Sequence, residues 1–371
     1  VQVLVVLAPG HGHLYPTFGV ADALRAAGHT VTYAMVDEPS LRQRVESEGH
    51  MFVAVPPSLT EQRKIVATGL RNDPSLAGIF GGLAPPAVAP LVSLIAGTDA
   101  RLVLHDMASF AAPLAAAIAG VPSVHFGVGP SFPDDAYEAG QRMASMWEQW
   151  GRQPDELAGM FRLAYFDPFP PSLDNPARSL PVRCYPYQPV PLGSGADNEV
   201  AGLPRPPWVW ATLGTVFNAN PGAWARLAEE LKDLGARVVA TVGDGIDLTG
   251  LPPFPPNFTA LPFVPARALL QGAVAVVCHA GAGTLLGALR YGLPLVCWPQ
   301  GADQFHNARV AEAAGASVTI TNAAGAGQGL RCVLDGKGYR SAAQRLQEEV
   351  LAMPSPAQCA QVLEELARQR S

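Results

Sequence analysis

The sequence predicts an α/β protein made of two doubly wound, parallel-sheet domains. Three observations predict it. Short β-rich runs alternate with helical segments from the first residues onward, and the same alternation restarts at Trp208. Between the two halves, from Pro181 to Pro207, the chain is dense in Pro and Gly (Pro186, Pro189, Gly193, Gly195, Pro206) and carries no helical periodicity. Strand–helix alternation implies a parallel sheet with helices on both faces. The expected boundaries are 1–185 for the first domain, 186–207 for a linker and 208–350 for the second domain. Residues 351–371 should form a C-terminal helix that can pack back on the first domain.

Element by element, Val3–Leu7 reads as the first strand. Pro16 marks the start of a helix and Gly28 its end, with Phe18, Ala21 and Leu24 on one face. Val31–Ala34, Leu102–Leu104 and Ser123–Phe126 read as later strands, and Pro113–Ala119 as a helix closed by Gly120. In the second half, strands are expected at Trp208–Leu213, Arg237–Val242, Val274–Cys278, Leu295–Trp298 and Ser317–Ile320. Asn220 should cap a helix that opens with Pro221. From Lys337 the tail reads as helical, with a break at Met353-Pro354-Ser355-Pro356.

Of 371 residues, 49% are hydrophobic and 15% charged, enough apolar material for two cores. The 25 basic and 31 acidic residues leave a net charge of −6, which argues against a nucleic-acid partner. No apolar run is read as reaching the ~20 residues of a membrane span, so no stable membrane insertion is expected. The opening run is too short for a secretory signal. The five cysteines are scattered and contain no C-x-x-C pair. They are read as small buried hydrophobes, and a cytoplasmic location is expected.

The strand Val274–Cys278 runs straight into His279-Ala280-Gly281-Ala282-Gly283-Thr284, and a helix follows to about Tyr291. Tiny residues let a ligand approach the backbone, and unpaired N–H groups at a helix start favour an anion. The alternative is a tight turn whose glycines serve packing. Neither commoner phosphate motif fits: Leu286 replaces the third Gly of G-x-G-x-x-G, and Gly-Lys-Ser/Thr is missing. Gly10-His11-Gly12 fails too, with Tyr15 at the third position, which weakens a dehydrogenase reading.

His11 and His13 fall in the loop after the first strand, at the carboxyl edge of the sheet. They have no third metal-ligand cluster, and no D-x-D occurs in the sequence. A histidine, ordinarily near pKa ~6.5, suits deprotonation of a hydroxyl; it can equally be satisfied by loop backbone. Asp106, after Leu102–Leu104, should emerge at the same edge, or cap a helix. Phe80, Phe132, Met143, Met146 and Trp147 are candidate walls of an apolar acceptor pocket, with His11. Met143, Met146, Trp147 and Trp150 share helical spacing, so the same residues could be the core face of a helix.

The stretch from His279 to Thr284, with Ala288-Leu289, Gly292, Pro294, Pro299, Asp303-Gln304 and Asn307-Ala308, resembles the donor signature of two-domain GT-B glycosyltransferases. The branch is the one that includes antibiotic and macrolide glycosyltransferases and the UDP-glycosyltransferases. The resemblance extends through Gly12-His13 with Pro16, Gly28-His29-x-Val31-Thr32 and Leu104-His105-Asp106. It implies a GT-B fold, two Rossmann-like domains with an interdomain cleft. It implies that His279, Gly281, Gly283 and Thr284 contact the diphosphate, and that Asp303 and Gln304 bind sugar hydroxyls. Gly214 and Thr215 would close over the donor, and Phe263, Val264 and Arg267 would line the base. His13 would be the catalytic base and Asp106 its partner.

The activity so implied is an inverting, metal-independent transfer of a sugar or deoxysugar from a nucleotide diphosphate donor to a hydrophobic natural product such as a polyketide. The sugar nucleotide is a co-substrate; no metal and no other cofactor are expected, and a homodimer is left open. The rival readings are a glycolipid-forming glycosyltransferase, a sugar-nucleotide epimerase and a non-catalytic accessory protein. The chain departs from the family pattern at Gly287, where members often carry a ribose-binding Glu. A thymidine diphosphate donor, with one hydroxyl fewer on its sugar, is the expectation that follows.

Overall fold

The computed structural model describes residues 1–191, 203–214, 221–243 and 253–368. Gly193, Gly195, Thr215 and Asn220 lie outside the described residues. The chain forms two compact units: Val1–Pro168 with Asn175–Tyr187 and Pro354–Ser371, and Phe169–Asp174 with Gln188–Met353.

The first unit holds a seven-stranded sheet of β1 (Gln2–Val6), β2 (Thr30–Met35), β3 (Met51–Ala54), β4 (Ala100–His105), β5 (Ser123–Phe126), β6 (Tyr165–Asp167) and β7 (Cys184–Pro186). Its order is β3-β2-β1-β4-β5-β6-β7, parallel throughout. Central strands of such a sheet are covered on both faces and read as unbroken apolar runs. Val3 to Val6 of β1 and Leu102 to Leu104 of β4 are accordingly buried.

The histidines His11 and His13 are not in an open loop, as expected, but in a helical turn, α1 (His11–Leu14). A 3-10 turn, Tyr15–Thr17, separates it from α2 (Phe18–Ala26). Pro16 has no N–H to give the Gly12 carbonyl, so the first turn cannot simply run on into α2. Phe18, Ala21 and Leu24 of α2 face the core.

Strands β3, β6 and β7 were not expected. β7 lies at the start of the Pro-rich stretch read as lacking helical periodicity and as a linker; as an edge strand it tolerates Pro186. Tyr187 follows it, buried, donating its hydroxyl to the Gly127 carbonyl at 2.7 Å.

A second correction concerns Leu76–Thr98, whose 23 residues are long and apolar enough to cross a membrane by length and composition. It folds as α5 (Leu76–Phe80), a 3-10 turn and α6 (Ala84–Thr98). Ala84, Val88, Leu91 and Ile95 bury one face of it in the first core. The C-terminal helix α15 (Pro356–Ala367), opened by a Ser355–Gln358 capping box, packs on α2 in this unit. Glu364 on it accepts from His29 Nε2 at 2.7 Å.

The second unit holds a six-stranded parallel sheet of β8 (Trp208–Thr212), β9 (Val238–Thr241), β10 (Phe258–Leu261), β11 (Ala273–Cys278), β12 (Leu295–Cys297) and β13 (Ser317–Thr319), ordered β10-β9-β8-β11-β12-β13. β10 was not expected. The helices that bear on its site are α10 (Ala266–Gly272), α11 (Ala282–Arg290) and α12 (Gln304–Ala313). All five cysteines are free thiols, but Cys332 is exposed and Cys184 half-exposed, against the reading of all as buried.

One buried pair sets the acid sensitivity of the first unit. His125 on β5 lies 5.6 Å from the His105 ring and is ringed by Phe161 and Tyr165. Neither of its ring nitrogens has a hydrogen-bond partner. Burial, then the neighbouring His105, holds its pKa well below the usual value, against the pull of Asp106; burial lowers His105 as well. The folded state therefore keeps His125 neutral where the unfolded chain would protonate it. Stability is full above pH ~6.5 and falls with pH below that. His125→Phe should flatten this decline: the thermal midpoint should drop less between pH 7 and pH 5 than in the native protein. An equal drop in both would refute the assignment.

Candidate functional site

Each sheet reverses its winding direction beside its first strand, and ligands of doubly wound sheets gather at the carboxyl ends of the strands there. In the first unit β1 and β4 are neighbours, with Val6 beside His105. The chain leaves β1 toward His13 and leaves β4 at Asp106. His13 Nδ1 and Asp106 Oδ2 are 2.7 Å apart.

Asp106 is fully buried, yet each of its oxygens is satisfied twice. Oδ2 also accepts from the Ala8 N–H at 2.9 Å; Oδ1 accepts from the Ala108 N–H at 3.0 Å and the Ser109 hydroxyl at 2.8 Å. Burial alone would raise its pKa. The charge and hydrogen bond of His13, then Ser109 and Ala8, outweigh burial and bring it to about 2. Asp106 is thus a fixed carboxylate at neutral pH. Its bond to Nδ1 fixes the orientation of the ring, and in the neutral form of His13 it selects the tautomer with the proton on Nδ1. The His13 side chain is 25% exposed, so a substrate can reach it. Ser109 and the Ala8 amide were missed in the sequence. The Asp106-x-x-Ser109 spacing of a strand-end turn was the available signal.

The acceptor candidates separate. The Phe80 ring stands edge-on to His13, centroids 6.2 Å apart. Met143 lines a cavity of about 840 Å³ bounded by Ile65, Gly78, Gly81 and Pro86. Met146 and Trp147 do not line it; they are buried in the core, so here the helix α8 (Pro133–Gln149) spends its apolar face on packing. Phe132 sits at the start of α8, half-exposed. His11 meets the Ser40 hydroxyl at 3.3 Å and packs on the Tyr15 ring. The cavity wall is also more polar than the sequence suggested: Glu61, Lys64, Asp73 and Arg142 line it, and Arg142 is paired with Asp73 at 2.6 Å.

In the second unit the switch lies between β8 and β11, where Thr212 is beside Cys278. Gly214 follows one strand and His279 the other. The His279 ring is wedged between two glycines. A Cβ on Gly214 would lie 2.5 Å from its Nε2, and a Cβ on Gly281 would strike the same atom. Gly214 also has φ +77, a conformation that glycine adopts without strain. Burial draws the His279 pKa down to about 4, against a smaller opposite pull from the Thr212 backbone. The ring is therefore neutral at pH 7, not a cation.

Helix α11 opens at Gly281 with no side-chain cap, so its first N–H groups remain for an anion. Gly283 is exposed and Thr284 half-buried at this turn. Asp303 occupies the N-cap position of α12, but its side chain makes no capping bond; it accepts instead from Asn307 Nδ2 at 2.7 Å. Gln304 is only partly available. Its Oε1 accepts from the Gln300 and Gly301 N–H groups at 2.7 and 3.2 Å, leaving its amide N–H₂ for a ligand. Val264 is buried in the second core, which removes its side chain as a base-facing wall; Phe263 is half-exposed and Arg267 exposed. Among the described residues, no three His, Cys, Asp or Glu side chains converge as a metal site would require.

Residues 225–366 match the family model described as erythromycin biosynthesis protein CIII-like, C-terminal domain. The chain is 30% identical to the elloramycin glycosyltransferase ElmGT of Streptomyces olivaceus, over 97% of this chain and 96% of that one. Among solved structures it matches the glycosyltransferase SnogD from Streptomyces nogalater, with a TM-score of 0.81 and 30% identity over 99% of both chains. It also matches the spinosyn rhamnosyltransferase SpnG complexed with thymidine diphosphate, with a TM-score of 0.80 and 26% identity over 98% of this chain and 100% of that one. The architecture of two parallel-sheet units is thus shared with these structures, and this chain is a glycosyltransferase of the GT-B family of antibiotic-biosynthesis enzymes.

Proposed function

We propose that the chain transfers a sugar or deoxysugar from a thymidine diphosphate donor to a hydrophobic natural-product hydroxyl, such as that of a polyketide, with inversion and without a metal. The observation that carries this reading is the buried, ionised Asp106 on His13. His13 Nε2 takes the proton of the acceptor hydroxyl as the oxygen attacks the anomeric carbon. The bond from that carbon to the diphosphate breaks on the opposite side, so configuration inverts. Asp106 holds the imidazolium that forms. The departing diphosphate is met by the α11 N–H groups and the neutral His279 ring, which need no counter-cation. A sequence without D-x-D fits that division of labour. A non-catalytic accessory protein would have no use for so fully satisfied a carboxylate behind a reachable histidine.

Gly287 supports the thymidine reading. It is buried, and a Cβ there would already lie 3.3 Å from Leu270 Cδ1 and 3.6 Å from Pro191 Cγ. No carboxylate at this position can hold a ribose 2′-hydroxyl, so the extra hydroxyl of a uridine donor gains nothing there. The thymidine diphosphate complex of SpnG is in line with the same donor. Competitive titration should show thymidine diphosphate bound at least as tightly as uridine diphosphate. A clear uridine preference would contradict this part.

A further inference from the structure

The geometry points to Asn307 as a positioning residue that sets the diphosphate loop and the sugar-binding carboxylate in one arrangement; this rests on the donor site proposed above. Asn307 is fully buried on α12 and its Nδ2 makes two hydrogen bonds. One goes to the Ala280 carbonyl at 2.9 Å and the other to Asp303 Oδ2 at 2.7 Å. Both N–H bonds of the amide are used in this way, and Oδ1 is buried with no partner. A buried amide that leaves its acceptor unmatched to keep both donor bonds indicates that the donor bonds are what the site requires.

Each bond has its own consequence. Ala280 adopts φ +65, a left-handed conformation that costs a residue with a Cβ free energy. The C=O and N–H of one trans peptide point in opposite directions. Holding the Ala280 carbonyl against Asn307 therefore turns the next N–H, that of Gly281, away from α12. That N–H is the first of the group at the start of α11. The second bond fixes one oxygen of Asp303. That bond holds the Asp303 side chain in one orientation on the first turn of α12.

The test is calorimetric, on the full chain, with thymidine diphosphate and a thymidine diphosphate hexose as probes. Asn307→Ala should weaken binding of the nucleoside diphosphate roughly 10-fold or more, and that of the sugar nucleotide further, since Asp303 is released as well. Adding Ala280→Gly removes the cost of the left-handed residue. The double variant should regain nucleoside diphosphate affinity but not the added affinity for the sugar. Asn307→Leu keeps the approximate shape of the side chain, buries no charge beside Asp303 and loses both donors, and should show the same two losses if Asn307→Ala does not fold. Native affinities in both Asn307 variants would overturn the proposal. So would a loss that Ala280→Gly leaves unrepaired, because Asn307 would then serve only the packing of α12. If the native protein binds neither probe, it is the donor-site reading itself that fails.

Discussion

His13→Ala is expected to lower kcat/KM for sugar transfer about 10³-fold while leaving donor affinity within about twofold of native. General-base catalysis contributes roughly 10²- to 10⁴-fold, and the buried Asp106 carboxylate is committed to orienting this one ring. Every residue assigned to the diphosphate lies in the other unit, so the loss should fall on kcat. The truncation leaves Asp106 with its Ala8, Ala108 and Ser109 hydrogen bonds, so the fold should survive. Transfer rates and donor titration on the same preparation check this. Turnover near native would remove His13 from the mechanism, and loss of donor binding would mean that the substitution had done more than remove a base.

Gly281→Ala should have the opposite signature. Gly281 has φ −59, so alanine brings no backbone strain. Its Cβ would nevertheless collide with His279 Nε2 and push the ring from its slot between Gly214 and Gly281. A displacement of ~1 Å at a reacting centre can cost about 100-fold in rate. In the proposed function the displaced group binds the diphosphate, so donor affinity and kcat/KM should fall together by roughly that factor. At Gly283 nothing lies within 4 Å of an added Cβ, and Gly283→Ala should leave the thermal midpoint unchanged. A Gly281→Ala variant with native donor affinity would show that His279 does not need its slot.

These two expectations draw on features that the sequence displayed to different degrees. The central strands were legible because a parallel sheet covered on both faces demands unbroken apolar runs, as in β1 and β11. β3 and β10 are short, with mixed burial, and β7 ends in proline, so none carries that signal. His13, Asp106 and His279 were legible as strand-end residues, and their roles came from family resemblance. What periodicity could not decide was which surface an apolar helix face meets. Met143 reaches a cavity, whereas Met146 and Trp147, at the same spacing, are core. Nor could spacing show that Gln304 turns its carbonyl back on the Gln300 and Gly301 amides, or that Ala8, 98 residues from Asp106, completes its hydrogen bonding. The Asp106–Ala8 contact exists only once β1 and β4 are side by side, and the Gln304 turn depends on side-chain direction that spacing does not carry.

Product formation tests the central claim most directly. The native protein is incubated with thymidine diphosphate sugars and a set of hydrophobic aglycones, and the mixtures are read by mass spectrometry. Transfer predicts an aglycone heavier by one sugar residue and an equal amount of thymidine diphosphate, with the product anomer opposite to the donor's. A donor bound but never transferred to any aglycone, or a product of retained configuration, would contradict it.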